Sequence, residues 1–146
     1  MAFKLIGLWL GDNEPDWPDV TRFSDSADEE SRREELARQL DSGDRTDRAY
    51  MGYSKCRLCG CRNGSGERTD GVFIWPEGLA HYVRDHAVRL PEVIENHLLG
   101  SGSIETDLVR RAIRASNEER DVTWWRQVTA EGRTGTEVDN AADLRP

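Results

Sequence analysis

The amino-acid sequence predicts a small α+β domain that is mainly helical, and three observations support this fold class. The stretch Val72 to Trp75 is rich in residues that favour strands, and the turn signal Asn63-Gly64-Ser65-Gly66 precedes it. Proline and capping residues open several polar segments of helical length. Two closely spaced cysteines precede that strand, and two histidines follow it. We therefore expect a β-hairpin and a helix at the centre of the domain, with further helices around them.

The N-terminal part predicts one short apolar element and one helix. Phe3 to Leu10 is apolar but too short for periodicity to distinguish a strand from a buried segment. Ser26 and Glu29 have the spacing of a capping box, so a helix is expected from about Ala27 to Leu40. Few of its side chains are apolar, and most of its surface should face water.

The middle and C-terminal parts predict a strand followed by helices. The strand should run from Thr69 to Trp75, and Pro76 should open a helix to about Ala87 that carries both histidines. A short helix should follow from Pro91 to Leu99. This organisation predicts an acidic N-terminal region at 1–49, a zinc-binding module at 50–100, a C-terminal helical region at 101–130 and a disordered tail at 131–146.

The candidate functional residues are Cys56, Cys59, His81 and His86. Thiolate sulfur and imidazole nitrogen are the ligands that Zn²⁺ prefers, and two short segments with two ligands each are typical of structural tetrahedral sites. The three cysteines of the chain lie within six residues, a clustering more typical of metal binding in a reducing compartment than of disulfides. We therefore predict one structural zinc ion per chain.

This order of residues resembles the two-cysteine, two-histidine zinc fingers, in which a cysteine knuckle and a hairpin precede a helix with the histidines. Gly60 follows the knuckle, as glycine often does in such fingers. The gap differs, since 21 residues separate Cys59 from His81, against about 12 in the fingers that read DNA. A longer hairpin or a treble-clef-like variant accommodates this gap.

Two features of the ligand set leave alternatives open. Residues five apart, such as His81 and His86, lie about 140° apart around an ideal helix. Both can reach one metal ion only if the helix distorts near His86 or ends just before it. Cys61 could also replace one histidine, which would give a three-cysteine, one-histidine site.

Net charge and composition limit the classes of partner that the chain is expected to bind. The net charge is −8, with −7 in residues 1–44, +3 in 45–89 and −4 in 90–146. An acidic protein is repelled by phosphate backbones, which disfavours nucleic acid as a partner. The apolar stretch near the N-terminus is too short to span a membrane. It also makes a poor signal peptide, because only Lys4 is positively charged there and an acidic stretch follows directly. We therefore predict a cytoplasmic protein with no membrane partner.

Three functions are compatible with these residues. The leading prediction is a non-catalytic protein-interaction or adaptor module, in which zinc holds the fold and acidic or tryptophan-bearing surfaces contact another protein. The alternative is a nucleic-acid-binding regulator, whose basic face would consist of Arg57, Arg62, Arg68, Arg84 and Arg89. The third is a zinc-dependent hydrolase or nuclease, which would need an open coordination position. The five tryptophans could form the core, or Trp17 and the pair Trp124-Trp125 could anchor a partner.

Overall fold

A computed structural model describes residues 2–11, 14–49, 52, 54–100 and 105–132. Within these ranges the chain forms five α-helices and one five-stranded mixed sheet, so the predicted α+β class is confirmed. The strands are β1 (Phe3–Leu5), β2 (Asp44–Ala49), β3 (Gly66–Thr69), β4 (Phe73–Pro76) and β5 (Arg120–Asp121). The helices are α1 (Glu30–Asp41), α2 (Leu79–His86), α3 (Glu92–Leu99), α4 (Thr106–Ile113) and α5 (Trp124–Gly132).

The sheet joins the beginning, middle and end of the chain. Its strand order is β2-β3-β4-β1-β5. The strands β2, β3 and β4 are antiparallel neighbours, whereas β1 is parallel to both β4 and β5. Lys4 lies opposite Phe73 on one side and Asp121 on the other. The division into an N-terminal region, a zinc-binding module and a C-terminal region stays a prediction, and most of the predicted tail, residues 133–146, lies outside the described residues.

A tight turn separates β3 from β4, so the prediction of one continuous strand from Thr69 to Trp75 is wrong. The Oδ1 atom of Asp70 accepts hydrogen bonds from the backbone N–H groups of Val72 and Phe73, at 2.9 Å each. Gly71 has a φ of +94°, a conformation that glycine adopts without strain. Asp-Gly is a hairpin signal, and here it outweighs the strand-forming residues that follow it.

The outer strand β2 is irregular. It pairs with β3 at Arg45 and again at Ala49, but the register shifts between these positions, so residues 46–48 form a bulge. The Thr46 hydroxyl in the bulge donates a hydrogen bond to Oε1 of Glu67 on β3, at 2.9 Å. The bulge therefore remains attached to the sheet although its ladder is interrupted.

Both faces of the sheet are covered, because side chains alternate along β4. Phe73 and Trp75 belong to the main core, which also includes residues of α1, α2, α3 and α5. Ile74 points to the other face, where it packs with Ala112 of α4. Among the described residues, no helix combines the length and apolar character needed to cross a bilayer.

Most of the tryptophans belong to the core. Trp9, Trp75, Trp124 and Trp125 are at most 4% exposed. The adjacent pair on α5 is therefore buried and does not offer the partner anchor considered above. Trp17 is only half-buried, and the Arg126 guanidinium lies 4.6 Å from its ring centroid.

Candidate metal centre

The cysteines lie on a tight hairpin formed by residues 54–64, which we call the cysteine hairpin. The Cys56 N–H donates to the Cys61 carbonyl at 2.9 Å, and Lys55 pairs with Arg62 across the hairpin. Gly60 at the tip has a φ of +77°, where a side chain would strain the backbone. Backbone hydrogen bonds thus fold this loop and bring its three thiols close together in space.

The histidines lie on α2, whose last turn departs from regular helical geometry. The Ala87 N–H bonds to the carbonyl of Tyr82, five residues back rather than four. Ala87 itself adopts the left-handed conformation, with φ 53° and ψ 35°. This wider turn brings His81 and His86 to the same side, with ring centroids 4.9 Å apart. The distortion near His86 that the five-residue spacing requires is therefore present.

Two contacts fasten the cysteine hairpin to α2. The Arg57 N–H donates to the Tyr82 hydroxyl at 2.8 Å, and Asn63 Nδ2 donates to the Gly78 carbonyl at 3.2 Å. A Cβ added to Gly78 would collide with the backbone oxygen of Asn63, so only glycine permits this approach. Tyr82 is buried, and this burial raises its pKa to about 12. These contacts hold the cysteine hairpin against α2, next to the helix turns that carry the two histidines.

The four predicted ligands form one cluster. Each of Cys56, Cys59, His81 and His86 offers a sulfur or nitrogen atom, and these atoms all lie within 4.8 Å of one another. Cys59 Sγ lies 3.4 Å from His81 Nε2. A tetrahedral zinc ion would place a sulfur and a nitrogen roughly 3.5 Å apart, given the usual bond lengths. The cluster is therefore close enough to bind a metal ion.

The two histidines show different signs of a ligand role. His81 Nδ1 lies 2.7 Å from Oδ2 of Asp85, one turn further along α2. A carboxylate in this position holds the proton on Nδ1 and leaves Nε2 free to ligate. The Nε2 atom of His86 is buried and has no hydrogen-bond partner among the described residues. A metal ion would satisfy this nitrogen, whose burial is otherwise costly.

The electrostatics favour a thiolate at Cys59. Its pKa falls to about 6, because the backbone and side chain of Cys61, and then the nearby imidazoles of His86 and His81, favour the charged form of the sulfur. The same interaction with Cys59 raises the pKa of Cys61 to about 11. Metal ions bind cysteine as the thiolate. Of these two exposed thiols, Cys59 is thus the more acidic.

Cys61 lies beside the cluster but does not complete it. Its Sγ is 3.4 Å from His81 Nε2, the same distance as that of Cys59. The group of atoms within mutual reach contains Cys56, Cys59 and both histidines of α2, but not Cys61. The third histidine, His97, lies elsewhere and pairs with Asp70 at 2.9 Å.

Sequence reasoning missed the residues that support the ligands. Asp85 stands four residues after His81, which is the spacing of neighbours on one helix face and could have indicated the pair. Tyr82 and Asn63 contact partners 25 and 15 residues away, and no local signal predicts such contacts.

The arginines of the predicted basic face are engaged within the chain. Arg57 pairs with Glu14, Arg84 with Glu34 and Asp41, and Arg89 with Asp28 and Glu95. Arg68 donates to the Gly43 carbonyl at 2.7 Å. These guanidinium groups thus contact carboxylate or carbonyl oxygens of the chain itself.

A broad cavity of about 1190 Å³ opens beside the cysteine hairpin. Its walls include the aromatic rings of Trp9, Trp17 and Tyr82 and the side chains of Leu10 and Arg57. Leu10 is one of the few large apolar side chains in the described residues that are substantially exposed, at 39%. The cavity thus combines aromatic, aliphatic and charged groups on the side of the molecule where the candidate metal centre lies.

Comparisons with family models, with curated proteins and with solved structures find no match for this chain. The arguments about function therefore depend on the cluster and on the surfaces around it.

Proposed function

We propose that this chain binds one structural zinc ion through Cys56, Cys59, His81 and His86. The observation that supports the proposal is the cluster of four donor atoms within 4.8 Å of one another. The ion would join the cysteine hairpin to α2 and so form a zinc-stabilised hairpin and helix. Sulfur and nitrogen donors favour zinc over Mg²⁺ or Ca²⁺, which prefer oxygen.

The donor set favours a structural role over a catalytic one. A catalytic zinc ion usually keeps three protein ligands and an open position for water. Four protein donors are present here, and the Cys56 side chain is buried at one side of the cluster. A hydrolase or nuclease would require one of these donors to stay away from the ion.

Elemental analysis of protein purified without added metal tests the zinc site. We expect one zinc ion per chain, retained through dialysis. His86→Gln should abolish retention, whereas the matched control His97→Gln should keep it, because His97 lies outside the cluster. Cys59→Ser should also lower the melting temperature strongly and unfold at least residues 50–90, because metal-binding energy is also folding energy in such modules. Folded wild-type protein without metal would refute the site.

The second part of the proposal is that the chain acts as a non-catalytic adaptor that recognises another protein. The cavity beside the cysteine hairpin supports it, since half-buried Trp17 is of the residue type enriched at interface hot spots. Exposed Leu10 adds apolar surface beside it. Nucleic-acid binding receives less support, because the arginines of the predicted basic face are engaged by partners within the chain.

Quantitative affinity capture with matched baits tests this adaptor role. Trp17→Ala should lose the specific partners of the wild type, whereas Arg110→Ala, an exposed substitution on α4, should keep them. Titration with duplex DNA and with single-stranded RNA examines the alternative. Tight binding that weakens steeply with salt would favour the regulator and contradict the adaptor.

A further inference from the structure

The candidate metal centre contains one donor more than a tetrahedral ion needs. Three thiols and two imidazoles surround it, and Cys61 is the donor outside the group of four. Cys61 is exposed, and it lies two residues from the ligand Cys59. Both of their sulfur atoms lie 3.4 Å from the same nitrogen, Nε2 of His81. A spare thiol thus stands beside a metal-binding thiolate at the exposed rim of the site.

We propose that Cys61 is an oxidation site that controls metal retention: a peroxide joins Cys59 and Cys61 in a disulfide, and the metal ion then leaves. This inference rests on the proposed zinc site and adds its regulation. A disulfide sulfur cannot act as the thiolate ligand that zinc requires. The ion would keep three donors at most, and the cysteine hairpin would lose its metal link to α2.

The reaction balances with one peroxide molecule as the oxidant. The two sulfur atoms give up two electrons, and one S–S bond forms between them. The O–O bond of hydrogen peroxide breaks, and its two oxygen atoms leave as two water molecules. The two protons required come from the thiols, or from solvent where a sulfur is already a metal-bound thiolate. A dithiol reductant reverses the reaction by thiol–disulfide exchange.

The backbone allows this disulfide. Two residues span at most about 7 Å of chain, and disulfides join Cα atoms up to 6.8 Å apart. Gly60 between the two cysteines turns the chain back, with a φ of +77°, and so shortens the separation. The Cys59 and Cys61 sulfur atoms both contact the same nitrogen, Nε2 of His81, at 3.4 Å.

Cys56 is the less suitable partner for oxidation. It is 3% exposed, whereas Cys59 and Cys61 are both exposed. Its sulfur accepts the Leu58 N–H at 3.4 Å, beneath the hairpin. A peroxide in solution reaches the rim of the site and not this sulfur.

Peroxide-driven metal release, followed with a chromogenic zinc chelator, tests the inference. Wild-type protein reconstituted with zinc should release one ion for every two thiols lost, and peptide mapping should find a Cys59–Cys61 disulfide. Cys61→Ser should retain one zinc ion under reducing conditions. It should release that ion at least about tenfold more slowly in peroxide, because it lacks the neighbouring group that reacts intramolecularly.

The possible results separate this inference from the proposed zinc site. If the reduced wild-type protein binds no zinc, both proposals fail. If it binds zinc but Cys61→Ser releases the ion as fast as the wild type, or the disulfide maps to Cys56, only the oxidation site fails. Loss of zinc from reduced Cys61→Ser would make Cys61 an obligatory ligand and would also overturn its role as the spare thiol.

Discussion

Removing the charge of Glu67 should destabilise the protein by several kcal/mol, because this carboxylate pairs with a guanidinium that cannot reach water. Glu67 of β3 and Arg120 of β5 form a buried ion pair, with Oε2 and Nη1 3.0 Å apart. Their side chains are only 4% and 3% exposed. Glu67→Gln keeps the shape of the side chain and leaves the Arg120 charge without its counter-ion.

The magnitude follows from how deeply the remaining charge is buried. Breaking a buried pair by removing one partner costs about 3–5 kcal/mol. Glu95 provides the comparison, because this carboxylate is fully buried between Arg32 and Arg89, whose side chains are 28% and 35% exposed. These two guanidinium groups can turn towards water after Glu95→Gln, so that change should cost only about 1–3 kcal/mol. The Glu67 substitution should therefore be the more damaging.

Urea denaturation of the wild type and the variants, all purified in the same way, measures this difference, provided that the slopes of the transitions agree. Adding Arg120→Met to Glu67→Gln should restore much of the lost stability, because the double variant no longer buries an unpaired charge. A cost below about 1 kcal/mol for Glu67→Gln, or a larger cost for Glu95→Gln, would refute the argument from burial.

Further expected outcomes concern pH, packing and metal removal. The Asp70 carboxylate raises the pKa of His97, and its hydrogen bonds from His97 and the backbone lower its own pKa. The stabilisation from the pair is therefore fully present below the unfolded His pKa of about 6.5 and above the unfolded Asp pKa of about 3.9. It should be lost as pH rises through the folded pKa of His97, so the stability difference between wild type and His97→Gln should shrink from pH 5.5 to pH 8; a constant difference would contradict the pairing. Gly78→Ala should lower the melting temperature and zinc affinity together, because its Cβ would meet Asn63, and unchanged calorimetric and metal-binding titrations would contradict the close approach. A strong chelator should lower the melting temperature of the wild type and leave that of His86→Gln unchanged; an equal shift in both proteins would indicate that the chelator acts elsewhere.

The candidate site was predictable from sequence because its ligands come in two short, closely spaced pairs. The cysteine pair and the histidine pair come together in one cluster, as their spacing predicts. Helix α2, at Leu79–His86, lies inside the segment predicted to be helical. Local signals also located α3, which begins directly after Pro91. The start of α1 was less well predicted, since the helix begins at Glu30, after the capping-box residues near Ser26.

The sheet was far less predictable, for two physical reasons. β2 has the sequence Asp-Arg-Thr-Asp-Arg-Ala and lies at an edge, so it carries none of the apolar alternation that indicates a strand. β5 is two residues long, and its pairing with β1 joins residues more than 100 positions apart in the chain. Such pairings depend on tertiary packing between distant segments. The sequence of either segment alone therefore does not predict them.

The bulge in β2 has a consequence for how other molecules can attach. One edge of the described sheet is interrupted at residues 46–48, and the opposite edge, β5, spans only Arg120–Asp121. Neither edge presents a regular row of backbone donors and acceptors long enough to recruit a guest strand. Capture of an extended peptide by strand addition, a common mode of peptide recognition, is therefore disfavoured at the described edges of this sheet. A protein that binds at these edges would then be recognised mainly through side chains and not through backbone pairing.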